Sequence, residues 1–223
     1  MCEKVKVIVF DMDGVLVTCR SSWRKLHLHF GSEAIINEAN DASRFRNGEI
    51  SYLEWMRRDT EAIIKANGGK VTREEIEEAL KDIEIDKDAP KVVSYVKTKG
   101  IKTVIVSGGI DILANRLKRT LGIDYVYANK LIFNSRGELL PGGIEVVNPL
   151  KKSDILKELS SELDIPLSKF MYIGDSEWDK DALEFVGYPV FYKRDSGSPP
   201  QIKGLIVIER LGEVIEVLRN LRC

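Results

Sequence analysis

Residues 5–10, VKVIVF, make a largely apolar, β-branched run that stops abruptly at two aspartates two positions apart, Asp11 and Asp13. A run of that kind predicts a buried strand. From about residue 21 to residue 82 the pattern changes to helical periodicity with almost no strand signal. Ser51 and Glu54 form a predicted capping box for a helix through Ala66, which NGG at 67–69 stops. Thr72 and Glu75 form a second, for a helix ending near Asp82. Beyond Pro90 the rhythm changes again. A helix over 91–99 leads to a strand over 102–106, then SGG and a helix from about 110 to 121. Segments 126–133 and 138–147 flank NSRG as a hairpin. A helix over 153–163, a strand over 170–173, a helix over 180–186 and a strand over 190–192 follow. After the loop RDSGSPPQ come a last strand over 205–208 and a helix over 211–221. Alternation of strand and helix predicts an α/β fold, a parallel sheet with helices on both faces. Residues 1–16 and 87–223 are expected to build that core, and residues 17–86 a small inserted helical domain.

Composition narrows the picture. At 223 residues the chain is long for one domain and short for two full ones. Its net charge of −1 gives no electrostatic case for nucleic acid or an anionic membrane as partner. No apolar run approaches the roughly 20 residues of a membrane helix. Glu3, Lys4 and Lys6 stand where a signal peptide needs its apolar region, so the expected location is cytoplasmic. Cys2, Cys19 and Cys223 show no C-x-x-C spacing, and His27 and His29 are the only histidines, which argues against zinc. Nothing in the pattern specifies an oligomeric state.

In parallel sheets ligands bind beyond the carboxyl ends of the strands. Three such ends here carry polar residues among small ones: Asp11 and Asp13 in DMDG, Ser107 with Gly108 and Gly109 in SGG, and Asp175 with Asp179 in GDSEWD. Lys151 and Lys152 precede a predicted helix. Taken singly, each is an ordinary turn, cap or surface feature. Together they describe a site. Like charges about 4 Å apart repel by roughly 4 kcal/mol at an effective dielectric near 20, so clustered acids require cations. Hard oxygen ligands suit Mg²⁺. Ser107, the glycine amides and the start of the next helix would cradle an anion. A carboxylate nucleophile, a second carboxyl as acid/base, a metal and an anion cradle are the parts of phosphoryl transfer through an aspartyl-phosphate.

In these residues the chain resembles the haloacid dehalogenase-like phosphohydrolases. DMDGV matches the first motif of that family, VIVSGG the second, KSDIL the lysine motif and GDSEWD the fourth, in family order. The resemblance implies a Rossmann-like core with a helical cap domain inserted after the first motif. It implies that Asp11 is nucleophile and Mg²⁺ ligand, and that Asp13 is general acid/base and gives its backbone carbonyl to the metal. Ser107 and Gly108 would bind the phosphoryl group, Lys152 (or, as runner-up, Lys151) would offset charge, and Asp175 and Asp179 would complete the metal site. The implied reaction is hydrolysis of a small phosphomonoester, phosphoserine or a similar carboxylated metabolite. A phosphotransferase or mutase, or a regulator that only binds a phospholigand, would use the same parts. Within the family the chain is most similar to the phosphoserine phosphatase branch, from which it departs twice. Gly14 and Val15 stand where that branch has Ser and Thr, and Arg20 falls where it places a glutamate that faces the substrate's ammonium. Arg57 aligns with the cap arginine that in that branch meets the substrate carboxylate, so the resemblance implies Arg20 and Arg57 as the substrate contacts of the cap.

Overall fold

The computed structural model describes residues 4–194 and 198–221. Cys2, Cys223 and the middle of the RDSGSPPQ loop lie outside them. In chain order, β1 (Val7–Phe10) is followed by five helices: α1 (Ser22–Phe30), α2 (Glu33–Ala39), α3 (Asp41–Arg46), α4 (Tyr52–Ala66) and α5 (Arg73–Lys81). Next come α6 (Ala89–Thr98), β2 (Lys102–Ile110), α7 (Asp111–Leu121) and the hairpin β3 (Tyr125–Phe133) and β4 (Leu139–Ile144). The chain continues through α8 (Lys152–Leu163), β5 (Phe170–Gly174), α9 (Lys180–Phe185), β6 (Tyr188–Tyr192), β7 (Ile206–Ile208) and α10 (Val214–Asn220).

Among the described residues the sheet has seven strands in the order β4-β3-β2-β1-β5-β6-β7, parallel except for the β3–β4 hairpin. Residues of β1 alternate between two layers, as a strand's period of two requires. Val7 and Val9 pack with Leu156, Leu159 and Leu183 on one side. Ile8 and Phe10 pack with Val92, Val93, Leu113 and Leu117 on the other. All four β1 side chains are fully buried, which is why the strand is continuously apolar. The chain winds outward from β1 through β2 and β3, then returns to its other edge at β5. That reversal is a topological switch point, and the loops after β1, β2 and β5 meet there.

The inserted helices are not a separate body of apolar contacts. Leu26, Ile63, Ile76 and Leu80 belong to the same buried cluster as Ile8 and Phe10. Helix α4 lies along β4, where the Gly142 amide donates to Thr60 Oγ1 at 2.7 Å. Ser51 caps α4 by accepting from the Glu54 amide at 3.1 Å, but Glu54 gives its carboxylate to Arg57 and Arg58 rather than closing a capping box. The Thr72–Glu75 box of α5 is complete.

Several element boundaries differ from the sequence pattern by one to three residues. β1 begins at Val7, although Lys6 still donates to the Lys169 carbonyl and accepts from the Lys102 amide, each at 2.9 Å. SGG extends β2 instead of opening a helix: the strand runs through Ser107 to Ile110, with a register break between those two residues, and α7 starts at Asp111 without a side-chain cap. The polar tip of β2 is thus an irregular strand end, and the expected cradle at the first turn of α7 is replaced by strand backbone.

Candidate active site

Asp11, the first residue past β1, receives the ordering of two neighbouring strands, since its amide donates to the Ile173 carbonyl of β5 at 2.9 Å. Its carboxylate is buried 3.2 Å from Lys152 Nζ, and the same ammonium lies 2.6 Å from Asp179 Oδ1. Lys152 sits at the start of α8 and is 2 % exposed, whereas Lys151 is exposed. Burial opposes its charge, but Asp11 and Asp179 outweigh that and hold the ammonium above its ordinary pKa.

Asp179 is saturated by donors. Oδ1 accepts from Lys152 and from the Tyr172 hydroxyl at 2.7 Å. Oδ2 accepts from the Asp175 amide at 3.1 Å and from the amide and hydroxyl of Ser176 at 3.2 and 3.1 Å. The carboxylate therefore ties down the loop that carries Asp175. Asp11, Asp175 and Asp179 each bring a carboxylate oxygen within 4.8 Å of the others. As bare charges they destabilise one another's ionised forms. Burial first, then Asp179, Asp175 and Asp13, push Asp11 up to about 8 against the pull of Lys152. Burial, then Asp179, raises Asp175 to about 6. A hard divalent cation is what such an all-oxygen cluster lacks for full ionisation. Gly14 makes room for the cluster: its φ is +76°, and a Cβ there would lie 2.0 Å from Asp175 Oδ2.

Asp13 points elsewhere. Its Oδ2 accepts from both the amide and the hydroxyl of Ser22, each at 2.8 Å, so the first residue of α1 holds it. Its Oδ1 is buried without a hydrogen-bond partner. Burial raises its pKa despite the two Ser22 bonds, which favours a carboxyl that keeps a proton to give.

At the end of β2 the Gly109 amide donates to Ser107 Oγ at 3.1 Å. The Gly108 carbonyl accepts from Trp23 Nε1 (3.2 Å), Tyr52 OH (2.6 Å) and Asn129 Nδ2 (3.1 Å), two donors from inserted helices and one from the sheet. Asp11, Asp13, Ser107, Gly108, Lys152 and Asp175 all line one cavity of about 430 Å³ beneath the inserted helices.

Residues 5–187 match the family model described as haloacid dehalogenase-like hydrolase. The chain belongs to the haloacid dehalogenase-like hydrolase family. Among curated members it is similar to a phosphoserine phosphatase of Methanocaldococcus jannaschii, 27% identical over 197 residues, with 86% of this chain and 87% of the relative covered. It is also similar to a probable phosphoserine phosphatase of Schizosaccharomyces pombe, 29% identical over 194 residues, with 85% of this chain but only 62% of that longer protein covered. Its fold matches a phosphoserine phosphatase solved as a phospho-aspartyl intermediate analogue, with a TM-score of 0.76 at 24% identity over 98% of this chain and 99% of that one.

The remaining residues expected to bind substrate part company. Arg20 lines the cavity, with Nη1 3.6 Å from Asp175 Oδ2. Arg57 does not reach it: it lies on the exposed side of α4, paired with Glu54 at 2.8 Å and with Glu61. The i,i+3 and i,i+4 spacing of those acids explains why it turns outward. The inserted helices bring other residues to the cavity, Trp23, Arg46, Tyr52 and Trp55, and the GDSEWD loop adds Trp178. The hydrophobic pattern alone makes the four aromatics among them core residues. The one sequence signal for Trp178 was its place inside an acidic motif, and for Ser22 its place beside the helix-capping Ser21.

Proposed function

We propose that this family member is a Mg²⁺-dependent phosphatase of a small phosphomonoester, and that residues 17–86 serve as its cap. Asp11 is the nucleophile. It attacks phosphorus to form an aspartyl-phosphate while Asp13 protonates the departing alkoxide. Asp13 then takes a proton from the water that cleaves the acyl-phosphate. Ser107 and the backbone around Gly108 hold the phosphoryl oxygens, and Lys152 offsets their charge. Asp11, Asp175 and the Asp13 carbonyl would hold the cation, with Asp179 positioning Asp175 and Lys152. Mg²⁺ there would supply charge neutralisation for ionised Asp11 and an incoming phosphate.

The observation that carries this reading is the different treatment of the two aspartates of DMDG. One faces Lys152 and the acid cluster; the other is turned onto the amide and hydroxyl of Ser22, the separate settings that a nucleophile and a proton shuttle require. The names of the relatives make phosphoserine the first substrate to test. Phosphate release should stop on chelation, return with Mg²⁺, and fall by a factor of at least about 10³ in Asp11→Asn. Wild-type turnover in that variant would overturn the assignment.

A further inference from the structure

The leaving-group side of the cavity is built from rings. Trp23, Tyr52, Trp55 and Trp178 line it, and none of the three indoles is fully buried by the protein. Tyr52, Trp55 and Trp178 form a continuous arrangement, and Trp23 packs against the same cluster. Trp55 and Trp178 have centroids 6.1 Å apart and Trp55 and Tyr52 5.6 Å apart at 86°, while Phe45 backs them from 5.4 to 6.3 Å. Tyr52 and Trp23 are fixed by their bonds to the Gly108 carbonyl, next to Ser107, so the rings adjoin the residues that face phosphorus.

Aromatic walls also suit quaternary ammonium ligands, but the charges here oppose a cation. The guanidinium of Arg46 already lies over the Trp178 ring, 4.4 Å from its centroid; Arg20 and Arg24 line the same cavity, paired with Asp175 at 3.6 Å and with Glu33 at 2.9 Å. The one acid on that wall, Asp59, is engaged by His27 Nε2 at 3.3 Å. A small amino-acid phosphate would place its ammonium among these arginines and leave the indole faces wet.

We infer that the preferred substrate is a phosphomonoester whose alcohol carries a flat ring, uncharged or anionic, seated against Trp55 beside the Arg46 guanidinium that covers Trp178. This rests on the phosphatase reading for turnover, but not for binding. It is tested with the full chain and Mg²⁺ on two esters that both release an alkoxide, benzyl phosphate and O-phosphoserine. Stacking geometry adds to area burial, so kcat/KM for benzyl phosphate should exceed that for phosphoserine by about tenfold or more. Calorimetric Kd values on Asp11→Asn should show the same order, and Trp55→Leu, which keeps an apolar side chain, should collapse the ratio toward one. Equal or better use of phosphoserine, or a benzyl preference that survives Trp55→Leu, would overturn the inference while leaving the phosphatase intact. Tight benzyl phosphate binding with no turnover of either ester would remove the phosphatase reading and leave the ring preference standing.

Discussion

Replacing Ser22 by alanine tests the acid/base assignment through a hydroxyl that donates to Asp13's carboxylate at 2.8 Å and otherwise accepts only a long bond, 3.4 Å, from the Ile110 amide. The change removes the 2.8 Å hydroxyl bond to Oδ2 and leaves the 2.8 Å backbone bond in place. Both bonds favour the ionised form, so losing one raises the pKa of Asp13 further. Hydrogen bonds to charged groups contribute about 1.5–3 kcal/mol, and one pKa unit is 1.36 kcal/mol. With the amide still donating, the lower figure applies, and a rise of about one unit is expected. Phosphoenzyme formation needs Asp13 protonated, so the alkaline limb of kcat/KM should move about one pH unit upward. The substrate's own phosphate titration is common to both proteins and cancels in the difference. Steady-state phosphate release across pH 5–10 gives the profile, and a thermal melt confirms an intact fold. An alkaline limb that stays still or moves down would refute Asp13 as the proton donor.

Three further outcomes follow from the geometry. Arg57→Ala should leave KM within about twofold, because its guanidinium serves Glu54 and Glu61 outside the cavity; a tenfold rise would place it at the substrate after all. In EDTA the folded state holds protons on Asp11, up to about 8, and Asp175, up to about 6, that the unfolded chain has released. Its stability should therefore fall as pH rises from about 4 to 8, and Mg²⁺ should flatten that slope; melting temperatures that climb across the window would contradict the burial of these acids. Asp86→Ala strands the Arg194 guanidinium and the Tyr192 hydroxyl that now share Asp86 Oδ2, a loss of about 3 kcal/mol, or roughly 6–12 °C by calorimetry.

The strands and helices of the core were legible because their periods are clean. VIVF reads as a strand buried on both faces, and it is one. The clustered acids and Lys152 were legible because they recur together at strand and helix boundaries, so that features ordinary one at a time describe one sheet edge. The insertion was readable as helices near the site, but not which of its side chains face the cavity: Arg20 does and Arg57 does not. Arg57 illustrates why. A charged residue on a helix chooses between cavity and solvent according to the acids one turn away, and Glu54 and Glu61 win here. Trp55 and Trp178 hid for the opposite reason, since periodicity marks an aromatic as apolar without saying whether protein or ligand will cover it. Asp13's partner was invisible because α1 reaches it only through the fold.

The Gly108 carbonyl deserves to be read as a mechanical joint. Its oxygen and the Gly109 N–H belong to one rigid peptide unit. Trp23 and Tyr52 grip one end of that plate from α1 and α4, and Ser107 Oγ takes the other end. Any excursion of those helices away from the sheet strips two of the three donors at once and frees the plate to turn. Ser107 then loses the partner that occupies its lone pair and aims its hydroxyl proton. One peptide plane thus works as a clutch, coupling the seating of both helices to the direction of the Ser107 hydroxyl.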